Sequence, residues 1–363
     1  MFRLIAMAAL SSLLLTWLLA RFAHRLGMID HPGGHKHHAQ PVPMVGGAAI
    51  AATIGLVLAL DSASLSSVQR TLLIAVLAML LVGIADDRLR LAPSTRLLAQ
   101  SAVALYLSWM GDGELRDLGR LIDGEHLLRL AWISLPLTVF SVVGVINACN
   151  MSDGIDGAAG GMVLLALAGA LLLAHGHAAW VHMPIIAATL GAVFGFLMWN
   201  MPLLRSARAY LGDGGSLLLG TLLAWVVVNF SQGPERAFAP VAALWLYAVP
   251  LIDTVSVMWR RVSEGQSPFQ PDQRHLHHML LRAGVSVRNA WMILMCAAFL
   301  GVLVAIVATR ASWPEPLLAL VFLSIAFGHH FAMRHADRSG RWFGHALATD
   351  VASAARTNVE PSR

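Results

Sequence analysis

Eleven apolar runs recur along this 363-residue chain, near residues 4–20, 45–60, 71–85, 97–110, 131–147, 158–175, 180–199, 211–230, 237–258, 289–309 and 317–333. They constrain the fold more than any other feature. About 20 apolar residues in helical form cross the ~30 Å hydrocarbon layer of a bilayer. No water satisfies backbone N–H and C=O groups there, so a segment that crosses alone must be a helix. With 57% hydrophobic and 12% charged residues and a mean hydropathy of +0.68, the chain has far too little polar surface for an ordinary soluble domain. The expectation is an all-α polytopic membrane protein with about 11 transmembrane helices. Residues 1–335 would form one membrane domain and residues 336–363 a cytoplasmic polar tail. The first run is longer than a typical signal-peptide core and no clear small-residue cleavage site follows it, so it is expected to be retained as a helix. Two cysteines, Cys149 and Cys296, cannot build a disulfide framework or a zinc site.

Spans taken in order place alternate loops on opposite sides of the membrane. One side receives the segments near 21–44, 86–96, 147–158, 202–210 and 259–288 and the tail, which carry 18 of the 25 lysines and arginines. By the positive-inside rule this side is cytoplasmic, with the N-terminus periplasmic and the C-terminus cytoplasmic. The same side collects the unusual polar residues. The acids Asp112, Asp117, Asp123 and Glu125 fall on the other side, where they alternate with Arg116, Arg120 and Arg129. They read as a solvated periplasmic loop without a chemical role.

The richest stretch runs from Asn147 to Gly161, with Asn147, Asn150, Asp153 and Asp156 set among glycines. One capping residue would suffice for a plain inter-helix loop. Two amides and two carboxylates, each carboxylate followed by glycine, suit the floor of a site with hard oxygen ligands for Mg²⁺ or Mn²⁺. Asp86 and Asp87 end an apolar run, where adjacent carboxylates are costly to desolvate without a cation or donor. Read more plainly, they are two solvated acids, though at a helix C-terminus they oppose the macrodipole. Gly212-Asp213-Gly214-Gly215-Ser216 opens a helix, so its N–H groups suit a phosphate and Asp213 the cation bridging it.

Four further features complete the cytoplasmic set. His275, His277 and His278 have neither the cysteines nor the helical spacing of a zinc site, and beside Arg274 and Arg282 they suit phosphate or sugar hydroxyls. Lys36, next to His37 and His38, is the only lysine in the chain. Asp253 lies inside an apolar run, where a carboxylate is a functional candidate. Arg96, Gln100 and Asn200 flank the runs that carry these motifs.

With Asp86-Asp87-Arg88, the Asn-x-x-Asn-x-x-Asp-Gly-x-Asp-Gly run at 147–157, Gly212-Asp213-Gly214-Gly215-Ser216 and His275-Leu276-His277-His278 in that order, the chain resembles the MraY–WecA superfamily of polyprenyl-phosphate N-acetylhexosamine-1-phosphate transferases. Ser267-Pro268-Phe269 and Pro271-Asp272 bring it nearer to the undecaprenyl-phosphate GlcNAc-1-phosphate branch than to the peptidoglycan branch. Arg90 stands where the family often has a third acid, and Gln273-Arg274 inverts a common order.

The resemblance implies transfer of GlcNAc-1-phosphate from UDP-GlcNAc to undecaprenyl phosphate, with release of UMP, to initiate O-antigen or common-antigen type polysaccharides. It implies that Asp213 and Asn150 hold Mg²⁺ or Mn²⁺. Asp86 and Asp87 would orient the lipid phosphate or act as base, while Asp153 and Asp156 would shape the nucleotide site. Arg274, His275, His277 and His278 would hold the diphosphate and sugar, with Lys36, His38, Arg96, Asn147, Asn200 and Asp253 as further substrate contacts. The implied setting is a bacterial inner membrane with the site facing the cytoplasm. The implied partners are a UDP-N-acetylhexosamine, undecaprenyl phosphate and membrane lipid, with a homodimer as a further arrangement and no nucleic acid. Another UDP-N-acetyl sugar or UDP-MurNAc-pentapeptide is the alternative donor. A transporter of divalent cations or nucleotide-sugars is the alternative class.

Overall fold

Each apolar run contains a helix in the computed structural model, which describes residues 1–30, 41–61, 64–203, 207–267 and 272–339. In chain order these are α1 (Phe2–Leu26), α2 (Gly46–Leu60), α3 (Ser67–Leu89), α4 (Pro93–Met110), α5 (Ser134–Met151), α6 (Ala158–Ala174), α7 (Met183–Asn200) and α8 (Gly212–Asn229). They continue with α9 (Pro240–Leu246), α10 (Ala248–Ser263), the short α11 (Leu276–Arg282), α12 (Val287–Arg310) and α13 (Glu315–Ser339). Length and composition make 7 of the described helices able to cross a membrane, or up to 8 when α9 and α10, bent by 89° at Tyr247, count as one broken span. The chain is a multi-pass membrane protein. Helices α2 and α6, at 15 and 17 residues, are shorter than those spans, and α4 carries Arg96 and Gln100.

The ends of the helices follow from their sequences. Ser66 and Gln69 start α3 with a reciprocal capping box, Gln69 N–H to Ser66 Oγ at 3.2 Å and Ser66 N–H to Gln69 Oε1 at 2.9 Å. It ends at Arg90 in the left-handed region, and Pro93 opens α4 where no backbone donor is needed. Between α1 and α2 a two-stranded antiparallel ladder pairs β1 (Ile29–Asp30) with β2 (Val42–Pro43). Tyr210 docks against this ladder, donating its N–H to Pro43 and accepting one from Gly46.

Helix α8 is the centre of the packing, with 83% of its span buried among α2, α3, α5 and α6. Its first turn is approached at backbone distance: a Cβ at Gly47 would collide with the backbone of Gly215, and one at Gly83 with that of Gly214. Exposed Trp109, Trp132 and Trp313 ring the ends of α4, α5 and α13, as expected of aromatic anchors at a membrane interface.

The segment between α4 and α5 departs from the solvated loop expected of it. Asp117 is buried; its Oδ1 accepts the Gly119 N–H and Arg236 Nη1, both at 2.9 Å, and its backbone carbonyl accepts Gln232 Nε2 at 3.1 Å. Glu315 at the start of α13 reaches the same segment, accepting the Arg120 N–H at 2.7 Å. Its alternating charges are matched across the fold to the α8–α9 connection and to α13, which a linear reading cannot see. Replacing Asp117 with Ala should therefore cost about 1–3 kcal/mol by leaving Arg236 and the Gly119 amide without their acceptor. Thermal unfolding in detergent measures it, with the exposed Glu125→Ala as the near-neutral comparison.

Candidate active site

Asp86 closes the turn from α3 into α4. Its Oδ1 accepts the Leu91 N–H and its Oδ2 takes Arg96 Nη1, each at 2.8 Å. Two partners compensate this buried carboxylate, and the ion pair fixes Arg96, which keeps part of its surface open. Asp87 turns instead toward α8, accepting the N–H groups of Asp213 at 3.1 Å and Gly214 at 3.4 Å. The helix start expected to cradle a phosphate is thus capped by the protein's own carboxylate, which meets the same orphan amides and positive dipole end.

Around this cap lies the Asn- and Asp-bearing loop. Asn147 on α5 donates to Gln100 Oε1 at 2.7 Å and to the Val143 carbonyl at 2.8 Å. One turn on, Asn150 Nδ2 donates to Asp213 Oδ1 at 2.7 Å and to Ser216 Oγ at 2.9 Å. Asn150 therefore orients Asp213 through its amide nitrogen, beside the carboxylate with which it is expected to share a metal ion. Asn200 is buried with both ends engaged, Oδ1 by the Gly157 N–H at 2.7 Å and Nδ2 on the Ala209 carbonyl at 2.9 Å. These bonds tie the loop at Gly157 to the segment before α8. The Asp153 carboxyl is pushed well above the usual carboxylate range, first by burial and then by the charges of Asp213, Asp156 and Asp87. Asp156 shares the loop and its charge also reaches Tyr210.

The histidine segment faces this loop from the other end of the chain. His275 and His277 stack with ring centroids 5.8 Å apart and an interplanar angle of 6°, and His278 tilts against His277 at 4.1 Å. The His277 ring lies so close to Gly154 that any side chain there would strike its Nε2. Burial, with His278 and His275 adding to it, pushes His277 down to about 3. His278 is lowered as well, by burial and then by His275 and Arg282. At neutral pH His277 is thus a neutral imidazole, which can still donate one hydrogen bond to a phosphate or hydroxyl oxygen. His275 Nδ1 sits 2.8 Å from Asp253 Oδ2, so Asp253 stands behind a site residue.

Arg274 is likewise committed. It forms ion pairs with Asp272 at 3.0 Å and Glu264 at 2.9 Å, and the bond to Asp272 leads in raising its pKa. Asp272 also holds Arg261 at 2.9 Å; burial would raise its pKa, but Arg274 and Arg261 outweigh that and lower it. Lys36 and His38 lie outside the described residues.

A cavity of about 260 Å³ is bounded by Arg96 on one side, Asn147, Asn150 and Asp153 below, and the three histidines with Asp272 opposite. Pro93, Leu97 and Met151 add an apolar wall. Of the expected site residues, this lining gathers Arg96, Asn147, Asn150, Asp153 and His275, His277 and His278. Asp86, Asp213 and Asp253 each bond a lining residue from behind, through Arg96, Asn150 and His275, while Asp87 and Asn200 lie further back, on the α8 start and on Gly157. Gln100, Ser216 and Asp272 emerge as supports whose signal was their neighbours: Asp272 is two residues from Arg274, and Ser216 closes the glycine-rich helix start.

Among the described residues no three His, Cys, Asp or Glu side chains converge as a ready-made metal cage. Mg²⁺ needs none, since it retains water and takes one or two carboxylates together with phosphate oxygens. The donor chemistry fits such an ion. Carboxylates at 87, 153, 156 and 213 act on one another, and a hard divalent cation would relieve that repulsion.

Comparison with known proteins bears on this geometry. Residues 69–231 match the model of glycosyl transferase family 4. The chain is 32% identical over 330 residues to the undecaprenyl-phosphate alpha-N-acetylglucosaminyl 1-phosphate transferase of Escherichia coli K12, covering 89% of this chain and 88% of that protein. The proteins of the same name from Yersinia pestis and Haemophilus influenzae are each 31% identical; the alignments cover 89% and 88% of this chain and 88% and 90% of theirs.

Two expectations follow from the site's charge. His277 binds fewer protons folded than unfolded, so its neutral form supports the fold fully above pH ~6.5 and that support is lost as pH falls toward the folded value. His277→Gln should therefore gain on the wild type in thermal midpoint between pH 8 and pH 5. Asp153 is the opposite case: its raised pKa gives stability that is full below the unfolded value of ~3.9 and is lost as pH rises through the folded one. Metal-free Asp153→Asn should melt above the wild type at pH 8, with the gap narrowing on addition of Mg²⁺.

Proposed function

The chain belongs to glycosyl transferase family 4, and from that premise we propose that it transfers N-acetylglucosamine-1-phosphate from UDP-GlcNAc to undecaprenyl phosphate, releasing UMP. The observation that carries the reading is the cavity in which Arg96, the Asn147–Asp153 floor and the histidines meet, in a chain matched over 89% of its length by proteins named for that reaction. The lipid-linked sugar diphosphate so formed is a starter for O-antigen or common-antigen type polysaccharides.

A phosphomonoester has its second pKa near ~6, so the lipid phosphate meets the donor largely as a dianion and needs little help from a base. Its oxygen forms a bond to the β-phosphorus while the bond from that phosphorus to the bridging oxygen breaks, and UMP leaves with the electron pair. The main barrier is the approach of two anions, which positive groups and a bound cation relieve. Arg96, fixed by Asp86, offers its guanidinium to a phosphate. Neutral His277 and His278 suit hydroxyl and amide groups, while Asp153 and Asp156 border the nucleotide. Asp213, aimed by Asn150, would hold Mg²⁺ or Mn²⁺, which when bound would neutralise charge on the diphosphate. Asp87 keeps the start of α8, and thereby Asp213, in place.

The chemistry requires cytoplasmic access to the UDP-sugar. We assign eleven crossings, counting α9 and α10 as one and including α2, α4 and α6, with the N-terminus periplasmic and the C-terminus cytoplasmic in the inner membrane. The excess of basic residues on the site's side supports this orientation. Residues 1–335 would act as one domain and residues 336–363 as a tail.

Purified protein with UDP-GlcNAc, undecaprenyl phosphate and Mg²⁺ should release UMP and form the lipid diphosphate sugar, and chelator should stop it. UDP as the nucleotide product would overturn the chemistry, and turnover with only another UDP-N-acetyl sugar would change the donor. Asp213→Asn should cut kcat at least ~100-fold without unfolding the protein. A cysteine at position 123 should label from the periplasm and a C-terminal reporter should read cytoplasm; the reverse would place the site away from its donor.

A further inference from the structure

We infer that His329 on α13 is a positioning residue for this reaction, acting through Asp253 on the cavity residue His275. The inference rests on the transferase reading. Asp253 sits in α10, beyond the 89° break at Tyr247. Its Oδ2 faces His275 Nδ1 at 2.8 Å, and its Oδ1 accepts the Leu276 N–H at 2.9 Å. His329 Nε2 lies 3.4 Å from the same Oδ1. Three elements thus meet on one buried carboxylate: α10 supplies it, the start of α11 donates twice and α13 contributes the third contact.

This arrangement decides what His275 presents to the cavity. With a carboxylate at Nδ1, that nitrogen carries the proton and Nε2 is the ring atom turned to a ligand. Rotation of Asp253 would release both the ring and the Leu276 amide, and with them the first turn of α11. The two donors from the histidine segment cannot prevent this, because they move with what they must hold. His329 comes from a separate helix whose position is set elsewhere: Trp245 Nε1 donates to the Leu318 carbonyl at 3.3 Å and its ring meets Phe322 edge-on, while Glu315 accepts the Arg120 N–H. Helix α13 contributes nothing to the cavity lining among the described residues. An imidazole in an apolar helix is costly to desolvate; His329 Nε2 is buried without a hydrogen bond of standard geometry, and the Asp253 carboxylate at 3.4 Å is the charged group that faces it.

Full-length protein is compared with His329→Ala, His329→Gln, His330→Ala, Asp253→Asn and the double variant His329→Ala/Asp253→Asn. His329→Ala should lower kcat about 10-fold, the scale of support removed from behind an orienting carboxylate, with KM for the UDP-sugar changed less than ~2-fold, because the loss is of orientation rather than uniform binding. His329→Gln, whose amide N–H stands in for Nε2–H, should recover most of the loss. The double variant should be no slower than Asp253→Asn alone, since both changes break one chain of contacts. His330→Ala, in the same seam but away from Asp253, should keep wild-type turnover. An equal loss in His330→Ala, or a double variant as slow as the product of the two single effects, would overturn the inference. Hydrogen exchange reads it independently of turnover: the peptide containing the Leu276 amide should exchange faster in His329→Ala and not in His330→Ala, and no difference between them would also overturn it. Wild-type protein that releases no UMP would sink the transferase reading alone, because the exchange result stands without it.

Discussion

The carboxylate of Asp87 on the first amides of α8 ties the site to the fold. A helix start inside a packed bundle leaves N–H groups that must be met, and the dipole makes an anion the best partner. That partner can arrive from α3 only because Gly83 and Gly47 let neighbouring backbones close on Gly214 and Gly215. The contact fixes the height and rotation of α8, and so the point at which Asp213 leaves it. Asn150 then sets the direction of the Asp213 carboxylate from a third helix. Three segments far apart in sequence therefore determine the place of one side chain.

Charge is distributed unevenly about the cavity. The basic residues nearest it are largely engaged with acids: Arg96 with Asp86, and Arg274 and Arg261 with Asp272. On the loop and the α8 start, Asp153 feels the charges of Asp213, Asp156 and Asp87. A hard divalent cation would relieve the repulsion among them. The lowered pKa values of His277 and His278 keep those rings from adding fixed charge to the cavity. Hydrogen-bonding capacity without net charge aligns a sugar at smaller electrostatic cost.

The helices were legible because hydropathy reports burial in lipid directly, and each apolar run contains one. The cavity was legible in outline because glycine, amide and carboxylate clusters are uncommon beside membrane helices, so their gathering around the cavity could be anticipated. Pairing was not legible. Asn200 reads as a candidate ligand and is a tie for Gly157; Arg274 reads as a phosphate donor and is held by Asp272 and Glu264; Asp117 reads as solvated and is buried against Arg236. Residue type gives the chemistry on offer, while the partner lies as near as two positions away for Arg274 and as far as 119 for Asp117. The α8 start shows this most sharply, since an amide-rich helix end predicts an anion and cannot say whether a ligand or an aspartate supplies it.

Asp253 carries the same lesson one step further. An intramembrane carboxylate invites a direct role, yet the break between α9 and α10 delivers it beneath His275 rather than into the cavity. The 89° turn at Tyr247 redirects α10 along the site, so one helix supplies Asp253 to orient His275 and Arg261 to hold Asp272. The irregular backbone is therefore what couples the last third of the chain to the loop at 147–157. It also explains why the histidine motif, although remote in sequence from the acids, faces them across a cavity of about 260 Å³.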